Sequence, residues 1–223
     1  MRRLSVLHTD RQLADIVQLA RAAGVPVRIE PRQALDRLVP SGRHQGIVAA
    51  VGAKAYAEPE EMLRAARDRN QPALVLLLDG VEDPHNLGAV LRTAEAAGAH
   101  GVVIPERRSV GLTGTVAKAS AGAVEHLPVA CVTNLSRAIE SLQAQGLWVY
   151  ALDPSAGKSY TALDLKGPVA LVLGGEGRGV RAGVLDKCDD RARIPMQGRV
   201  ASLNVSAAAA IVLFEVVRQR TGG

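Results

Sequence analysis

Residues 73–98, ALVLLLDGVEDPHNLGAVLRTAEAAG, join an unbroken apolar run to an alanine-rich segment and decide the fold class. The run ALVLLLD shows no alternation of polar and apolar side chains, which predicts a strand buried on both faces. The segment NLGAVLRTAEAAG has helical spacing and ends at Gly98, a residue type that commonly terminates helices. A buried strand followed at once by a helix is typical of parallel α/β sheets.

The same alternation of strands and helices continues to the C-terminus. Further strands are predicted at HGVVIP, LWVYALD, PVALVLGG and ARIPM. Helices are predicted at VTNLSRAIESLQAQG and RGVRAGVLDKC, and a final helix is predicted to begin near Leu203. We therefore predict a mainly parallel sheet with helices on both faces over residues 73–223. In such sheets, ligands bind at the loops that leave the carboxyl ends of the strands.

Residues 1–52 predict a separate small α/β domain. Its strands are expected at RRLSVL, VPVRIE and HQGIVAAVG, and its helices at DRQLADIVQLARAAG and PRQALDRLVP. Residues 53–72, AKAYAEPEEMLRAARDRNQP, are interpreted as a partly helical linker, because Pro59 and two following glutamates suit a helix start.

The composition is that of a globular protein, with 48% hydrophobic and 22% charged residues in 223. No apolar run approaches the roughly 20 residues of a membrane span, and the N-terminus does not resemble a secretory signal. Cys131 and Cys188 are far apart in the sequence and have no CxxC spacing. We therefore expect neither a disulfide framework nor a metal site. A cytoplasmic location is expected for the same reason.

The positive charge is concentrated at the front of the chain. Residues 1–52 contain eight Arg or Lys against four Asp or Glu, whereas residues 73–223 contain 15 against 14. This asymmetry suggests that the front contacts a polyanion, although a general abundance of arginine explains it equally well. Because aromatic residues make up only 2% of the chain, recognition by base stacking is not expected.

Polar residues follow the first buried strand of the larger domain. Asn86 suits a helix N-cap, which would account for it without any function. Gly88 lies in the first turn of the predicted helix, where glycine costs about 1 kcal/mol, so a close approach to its backbone is expected. Arg92 is either a surface charge or a guanidinium held at a site.

Two later loops also carry polar or glycine-rich sequence. Gly174–Gly179, GGEGRG, leaves a strand and surrounds Glu176 with backbone that can approach a ligand closely. The spacing matches neither a dinucleotide-binding GxGxxG fingerprint nor a P-loop, which argues against a nucleotide-dependent Rossmann enzyme. Ser202, Asn204 and Ser206 precede an alanine-rich helix and supply more polar groups than one N-cap needs.

Together, DPHNLGAVLRTAEAAG, LGGEGRGV and IPMQGRVASLNVSAAAAIVLFEVVRQR resemble the three ordered motifs of the SpoU (TrmH-like) family of RNA 2′-O-ribose methyltransferases. HQGI at residues 44–47 resembles a signature of that family's small substrate domain. The resemblance is closest to the branch that methylates a guanosine ribose in 23S ribosomal RNA, and members that act on tRNA share the motifs.

The resemblance implies a SPOUT-type α/β catalytic domain with a deep trefoil knot, S-adenosylmethionine as the cofactor, and a homodimer. It implies an RNA substrate-binding domain at 1–52, a linker at 53–72 and the methyltransferase domain at 73–223. The small ribosomal-protein-like α/β domain departs from the family pattern, because MRRLSVL replaces a stretch with a Gly-x-x-Ala-Val-like motif. We expect its first helix to be missing, by truncation or by a choice of start site.

The resemblance also assigns site residues by motif position. It places five residues at the cofactor: Gly174, Ile194, Leu203, Gly175 and Met196. It places five more at the reacting hydroxyl: Arg92, Asn86, Glu176, Ser202 and Asn204. A guanidinium has a pKa above about 12 and is a poor base, so we expect Arg92 to orient the nucleotide and Asn86 to orient Arg92 or the ribose.

For RNA binding, the sequence favours Arg43, His44 and Gln45 of the basic front, with Arg199 near the catalytic site. His44 can equally be an ordinary loop residue. The alternatives to a ribosomal RNA enzyme are a tRNA ribose methyltransferase and a non-catalytic RNA-binding protein. The complete set of polar residues in the three motifs argues against the second alternative.

Overall fold

The computed structural model describes residues 3–7, 11–39, 44–50, 52 and 54–222 of the chain. The chain divides into two compact units, Met1–Lys54 and Ala55–Gly223. Most of the segment that the sequence assigns to a linker therefore belongs to the second unit.

The first unit contains a three-stranded sheet in the order β2-β1-β3. Strand β1 pairs in parallel with β2 and antiparallel with β3. The small core is formed by Leu4, Val6 and Val17. The described elements are β1 (Arg3–Val6), α1 (Arg11–Ala22), β2 (Val27–Ile29), α2 (Arg32–Leu38) and β3 (Ile47–Ala50).

The second unit contains a six-stranded sheet in the order β6-β5-β4-β8-β7-β9, in which every neighbouring pair is parallel. Its strands are β4 (Leu74–Asp79), β5 (Gly101–Pro105), β6 (Val129–Val132), β7 (Trp148–Leu152), β8 (Val169–Gly174) and β9 (Asp190–Ala192). Its helices are α3 (Pro59–Asp68), α4 (Pro84–Ala96), α5 (Gly114–Ala119), α6 (Leu135–Ala144), α7 (Ala182–Leu185) and α8 (Val205–Thr221). Within the described residues, none of the helices is long and apolar enough to cross a bilayer.

Strand β4 is buried on both faces, as its unbroken apolar sequence predicts. Leu76 and Leu78 pack into a cluster that also contains residues of α4 and α8. Leu77 points to the opposite face, into a cluster formed with residues of α3, α6 and α7. The predicted parallel α/β sheet with helices on both faces is confirmed.

Helix α3 packs into the core of the second unit, although the sequence suggested a linker. Its N-terminus has a capping box in which Glu58 and Glu61 bond to each other's backbone N–H groups. Met62 is fully buried, and a Cβ on Gly101 would lie 2.2 Å from the Met62 sulfur. The absence of a side chain at the start of β5 therefore makes room for α3.

Two short elements escape sequence analysis, and one is shorter than expected. Helix α5 has six residues and β6 has four, which is too little chain to show a period. The helix expected over 178–188 is confined to the four residues of α7, because residues 175–181 form a loop.

The C-terminal part of the chain crosses back over the sheet. Strand β9 pairs with β7 at the edge, yet α8 packs against α4 and β8 in the interior. Residues 193–204 therefore pass over the carboxyl ends of β7 and β8 on their way to α8. This return crossing is a requirement of the predicted trefoil knot.

His100, immediately before β5, is a buried histidine with an unsatisfied ring nitrogen. Its Nδ1 accepts a hydrogen bond of 3.1 Å from the Leu74 backbone N–H, while Nε2 has no partner. Burial, together with the positive charges of Arg69 and Arg220, lowers the pKa of His100 from its ordinary value to about 4. The neutral ring is therefore the form that the fold accepts.

We expect this histidine to make the second unit acid-sensitive. The unfolded chain binds a proton at His100 below pH about 6.5, whereas the folded chain does so only near pH 4. Stability is therefore fully present above the unfolded pKa and falls by up to about 3 kcal/mol as the pH drops through this window. Urea unfolding followed by the fluorescence of Trp148, the sole tryptophan, measures this loss.

His100→Asn keeps an acceptor for Leu74 and removes the titrating ring, so its stability should change less between pH 6.5 and 4 than that of the wild type. His126→Asn, at an exposed histidine, should behave as the wild type does. Equal pH dependence in wild type and His100→Asn would contradict this account.

Candidate active site

Two of the three polar loops are brought together by the pairing of β4 with β8. Asp79, the last residue of β4, lies in register with Gly174, the last residue of β8. The loops that follow both strands therefore leave the same edge of the sheet side by side. The chain entering α8 arrives at this edge through the return crossing.

Asn86 is not the N-cap that its position suggested. Helix α4 begins at Pro84, and Asp83 caps it by accepting a 2.8 Å hydrogen bond from the Asn86 backbone N–H. Because Asp83 performs the capping, the side-chain amide of Asn86 is available for other contacts.

The Asn86 side chain connects the three loops. Its Nδ2 donates a hydrogen bond to Glu176 Oε1 in the glycine-rich loop. Its Oδ1 accepts a 3.0 Å hydrogen bond from Asn204 Nδ2. Asn204 also caps α8, since its Oδ1 accepts from the Ser206 backbone N–H at 2.8 Å. We call Asn86, Glu176 and Asn204 the amide–carboxylate network.

The glycine-rich loop is fastened to β4 by a pair that sequence analysis did not identify. Asp79, 3% exposed, accepts hydrogen bonds from the backbone N–H of Arg181 at 2.9 Å and from its Nε at 2.8 Å. The Gly175 backbone N–H donates to the Asp79 carbonyl at 2.8 Å. A carboxylate closing an otherwise apolar strand was the available signal, and these contacts fix both ends of the loop that carries Glu176.

The glycines of these loops allow backbone segments to pack closely. A Cβ on Gly175 would lie 1.8 Å from the Gly80 carbonyl oxygen, and one on Gly174 would lie 2.0 Å from the Gly179 carbonyl carbon. The close approach expected at Gly88 is made by α5, where the Ala119 Cβ would be 2.4 Å away. At all three positions the close neighbour is the chain itself. For Gly174 and Gly175 this differs from the sequence-based expectation, which was that a ligand approaches the glycine-rich loop.

A cavity of ≈ 600 Å³ lies beside the network, within the range of small-molecule sites. All five residues that the family resemblance assigns to the cofactor line it: Gly174, Gly175, Ile194, Met196 and Leu203. Apolar side chains such as Leu152 and Ala208 form much of the remaining wall. Asp153 also lines the cavity and was missed, although it directly follows the last residue of β7.

Arg92 and Ser202 do not join the network. Arg92 is exposed on α4 and makes no hydrogen bond or ion pair with any residue that the structure describes. The expectation that Asn86 orients Arg92 is therefore not met within this chain, because the Asn86 amide is engaged by Glu176 and Asn204. Ser202 lines the cavity and is exposed, also without a hydrogen bond to a described residue.

The expected RNA contacts have different surroundings. Arg43 lies outside the described residues. His44 is buried: its Nδ1 accepts from the Gly46 backbone N–H at 3.0 Å, and its Nε2 lies 3.1 Å from Asp36 Oδ1. The ring of His44 therefore supports its own loop and is not presented as an RNA contact. Gln45, with φ of 48°, and Arg199 are both exposed.

The arrangement has the properties of a transfer site. A carboxylate is held in place by an amide at the mouth of a largely apolar cavity, which limits the directions from which a hydroxyl group can approach it. Within the described ranges, no three His, Cys, Asp or Glu side chains are grouped so as to hold a metal ion.

Comparison with known proteins identifies both units. The model of the SpoU rRNA methylase family matches residues 73–214. A model described as RNA 2′-O ribose methyltransferase substrate binding matches residues 2–57.

Individual relatives cover nearly the whole chain. The chain is 49% identical over 209 residues to the TrmH family tRNA/rRNA methyltransferase YacO of Bacillus subtilis, covering 94% of this chain and 84% of YacO. It is 50% identical over 210 residues to the 23S rRNA (guanosine-2′-O-)-methyltransferase RlmB of Xylella fastidiosa, with the same coverage.

The fold also matches a solved methyltransferase. The AdoMet-bound rRNA methyltransferase from Sinorhizobium meliloti superposes with a TM-score of 0.79 and 28% identity, covering 97% of this chain and 79% of that one. This similarity establishes the SPOUT-type fold of the catalytic unit. The family match, the relatives and the fold agree: the chain belongs to the SpoU rRNA methylase family.

Proposed function

We propose that this protein transfers a methyl group from S-adenosylmethionine to the ribose 2′-hydroxyl of a guanosine in 23S ribosomal RNA, in the cytoplasm. The observation that carries the proposal is the amide–carboxylate network at the mouth of the ≈ 600 Å³ cavity. The choice of nucleotide and RNA is supported by the 50% identity to a relative named for that reaction.

The residues of the cavity suit this cofactor. The apolar walls at Ile194, Leu203 and Ala208 suit an adenine ring, and Gly174 and Gly175 line the cavity without side-chain bulk. Asp153 provides a carboxylate for hydroxyl or ammonium groups. When bound, S-adenosylmethionine supplies an electrophilic methyl group on a positively charged sulfur.

Glu176 is proposed to accept the hydroxyl proton. Transfer of the methyl group would break its bond to the sulfonium sulfur, which leaves as a neutral thioether, and the ribose hydroxyl would lose its proton to a base. The carboxylate of the network can accept this proton, whereas the amides are not bases. The hydrogen bond from Asn86 fixes the direction of the Glu176 carboxylate. Asn204 fixes Asn86 in turn, so the three loops act together to position one oxygen atom.

Arg92 is proposed to hold the phosphate of the target nucleotide. Its guanidinium is exposed and makes no hydrogen bond or ion pair with the described residues, so it is available to an external anion. A bidentate bond between arginine and phosphate orients a nucleotide more firmly than a single contact does.

We propose further that two copies of the chain form a homodimer through α8. Ala207, Ala210, Ile211 and Phe214 fall on one face of this helix, and the Phe214 side chain is 50% exposed. A one-sided apolar stripe on an otherwise buried helix is suited to pairing with a second copy. Helix α4, which carries Arg92, packs against the buried face of α8.

A tRNA is the second candidate substrate, and the naming of YacO as a tRNA/rRNA methyltransferase favours it. The catalytic site is the same for both substrates, because the ribose hydroxyl and its phosphate are common to them. The choice between them depends on contacts away from the reacting atoms.

The proposal is tested by calorimetric titration of S-adenosylmethionine, followed by transfer of labelled methyl groups to ribosomal RNA. We expect the wild type to bind and transfer, and Ala208→Phe, which fills the cavity, to weaken cofactor binding by about 100-fold or more. Thermal unfolding shows whether the variant is folded. Equal affinity in a folded Ala208→Phe variant would place the cofactor elsewhere, and binding without transfer would indicate a non-catalytic RNA-binding protein.

A further inference from the structure

The loop after β5, residues 106–109, is fixed at both ends. The Glu106 backbone N–H donates to the Val132 carbonyl at 2.8 Å, which extends the pairing of β5 with β6. The Val110 backbone N–H donates to the Val81 carbonyl at 3.1 Å, in the loop after β4. The residues between these two bonds therefore form a short arch whose position is defined by the sheet.

The arch presents two arginines to solvent. Arg107 and Arg108 are exposed, and neither makes a hydrogen bond or ion pair with a residue that the structure describes. The nearby acidic residues Glu82 and Glu106 are exposed as well and form no ion pair with them. Both guanidiniums are therefore available to an external anion.

The backbone conformation of Arg108 is a second indication that these arginines have a functional role. Its φ of 61° lies in the left-handed region, which residues with a side chain seldom adopt and which glycine adopts without a steric penalty. An arginine in a conformation that favours glycine, with no internal contact for its side chain, is difficult to explain by folding alone. Such outliers are concentrated at functional sites.

The arch lies on the opposite side of β4 from the cavity. In the sheet, β5 and β8 flank β4, and the cavity is formed at the ends of β8 and β7. The end of β5 is one strand spacing, about 5 Å, from the end of β4, whose loop leads into the helix of Asn86. The arch and the loop that leads to Asn86 therefore leave the same edge of the sheet from neighbouring strands.

We propose that Arg107 and Arg108 bind backbone phosphates of the RNA beside the reacting nucleotide. The inference rests on the proposed function, since it takes the acceptor to be RNA. Planar guanidiniums match phosphate oxygens bidentately, and phosphate contacts position a nucleic acid without reading its sequence. The two arginines therefore contribute to the affinity for RNA and to its position along the site, whereas other contacts determine which base is recognised.

The test replaces both side chains while keeping the backbone conformation. In the double variant Arg107→Ala/Arg108→Gly, glycine accepts the left-handed φ of residue 108. The control Arg64→Ala/Arg67→Ala removes the same charge from exposed positions on α3, which packs at the amino end of β5. RNA affinity is measured by fluorescence anisotropy at several salt concentrations, with ribosomal RNA fragments of different sequence.

We expect Arg107→Ala/Arg108→Gly to weaken binding of every fragment about 10-fold or more and to reduce the slope of log K against log salt by about 1 to 2. The KM for RNA should rise, whereas kcat and the cofactor affinity should stay within about threefold of their wild-type values. The control should keep the wild-type slope. A slope unchanged in the arch variant, or reduced equally in the control, would overturn the inference.

The outcome is separable from that of the proposed function. Failure of the wild type to methylate RNA would refute the proposed reaction, whereas the anisotropy data still show whether the two arginines bind phosphate. Normal methylation with an unchanged salt slope would refute the arginine proposal alone.

Discussion

Asn86→Ala is expected to lower the rate of methyl transfer by about 100-fold or more while leaving S-adenosylmethionine affinity within about threefold. Asn86 contacts both Glu176 and Asn204, so its removal releases the carboxylate from its fixed direction. The side chain does not line the cavity, so the cofactor keeps its contacts. Single-turnover transfer and calorimetry measure the two quantities.

Two further variants sharpen this test. Arg92→Ala should give a comparable loss of transfer at unchanged cofactor affinity, because its guanidinium is proposed to hold the substrate phosphate. Asn86→Asp keeps an acceptor for Asn204 but places a second carboxylate beside Glu176, and it should be as impaired as Asn86→Ala. An equal loss of cofactor binding and transfer in Asn86→Ala would contradict the division of roles.

Gly175→Ala is expected to damage both stability and cofactor binding. The new Cβ would lie 1.8 Å from the Gly80 carbonyl oxygen, and both partners are backbone atoms that cannot rotate away. Relief requires the glycine-rich loop to move from the end of β4, which separates Glu176 from Asn86. We expect a destabilisation of about 3 kcal/mol and a loss of S-adenosylmethionine binding of about 100-fold.

Gly183→Ala provides the matched control. Gly183 lies in α7 with no atom within 4 Å of its Cβ position, so alanine there should be neutral or stabilise by up to about 1 kcal/mol. Urea unfolding and calorimetry compare the two variants. A Gly175→Ala protein with wild-type stability and cofactor affinity would show that the close packing of these loops is not required.

The succession of strands and helices in the second unit was predictable, because strands buried in a parallel sheet consist of continuous apolar residues. The continuous apolar run of β4 predicts burial on both faces, and the clusters on either side of Leu76 and Leu77 confirm it. The short elements α5 and β6 were not predictable, since neither contains enough residues to show a period. The start of helix α3 at Pro59 was located from the sequence, but the helix was assigned to a linker because its apolar face has only three residues, Met62, Leu63 and Ala66.

The members of the site were easier to predict than their connections. Asn86, Glu176 and Asn204 stood out as polar residues at strand ends and helix starts, but sequence separations of 90 and 118 residues hide the bonds between them. The contact of Arg181 with Asp79 was not predicted, because 102 residues separate the two in the sequence. For Gly174 and Gly175, the residue type indicated close approach, and only the coordinates show that the neighbour is the chain's own backbone.

The most direct test is a map of ribose methylation in total RNA from cells with the gene intact, deleted, or replaced by the Asn86→Ala form. We expect one guanosine of 23S ribosomal RNA to lose its 2′-O-methyl group in the deleted strain and in the Asn86→Ala strain. An unchanged ribose map in both strains, or the loss of a methyl group from a base in place of a ribose, would contradict it.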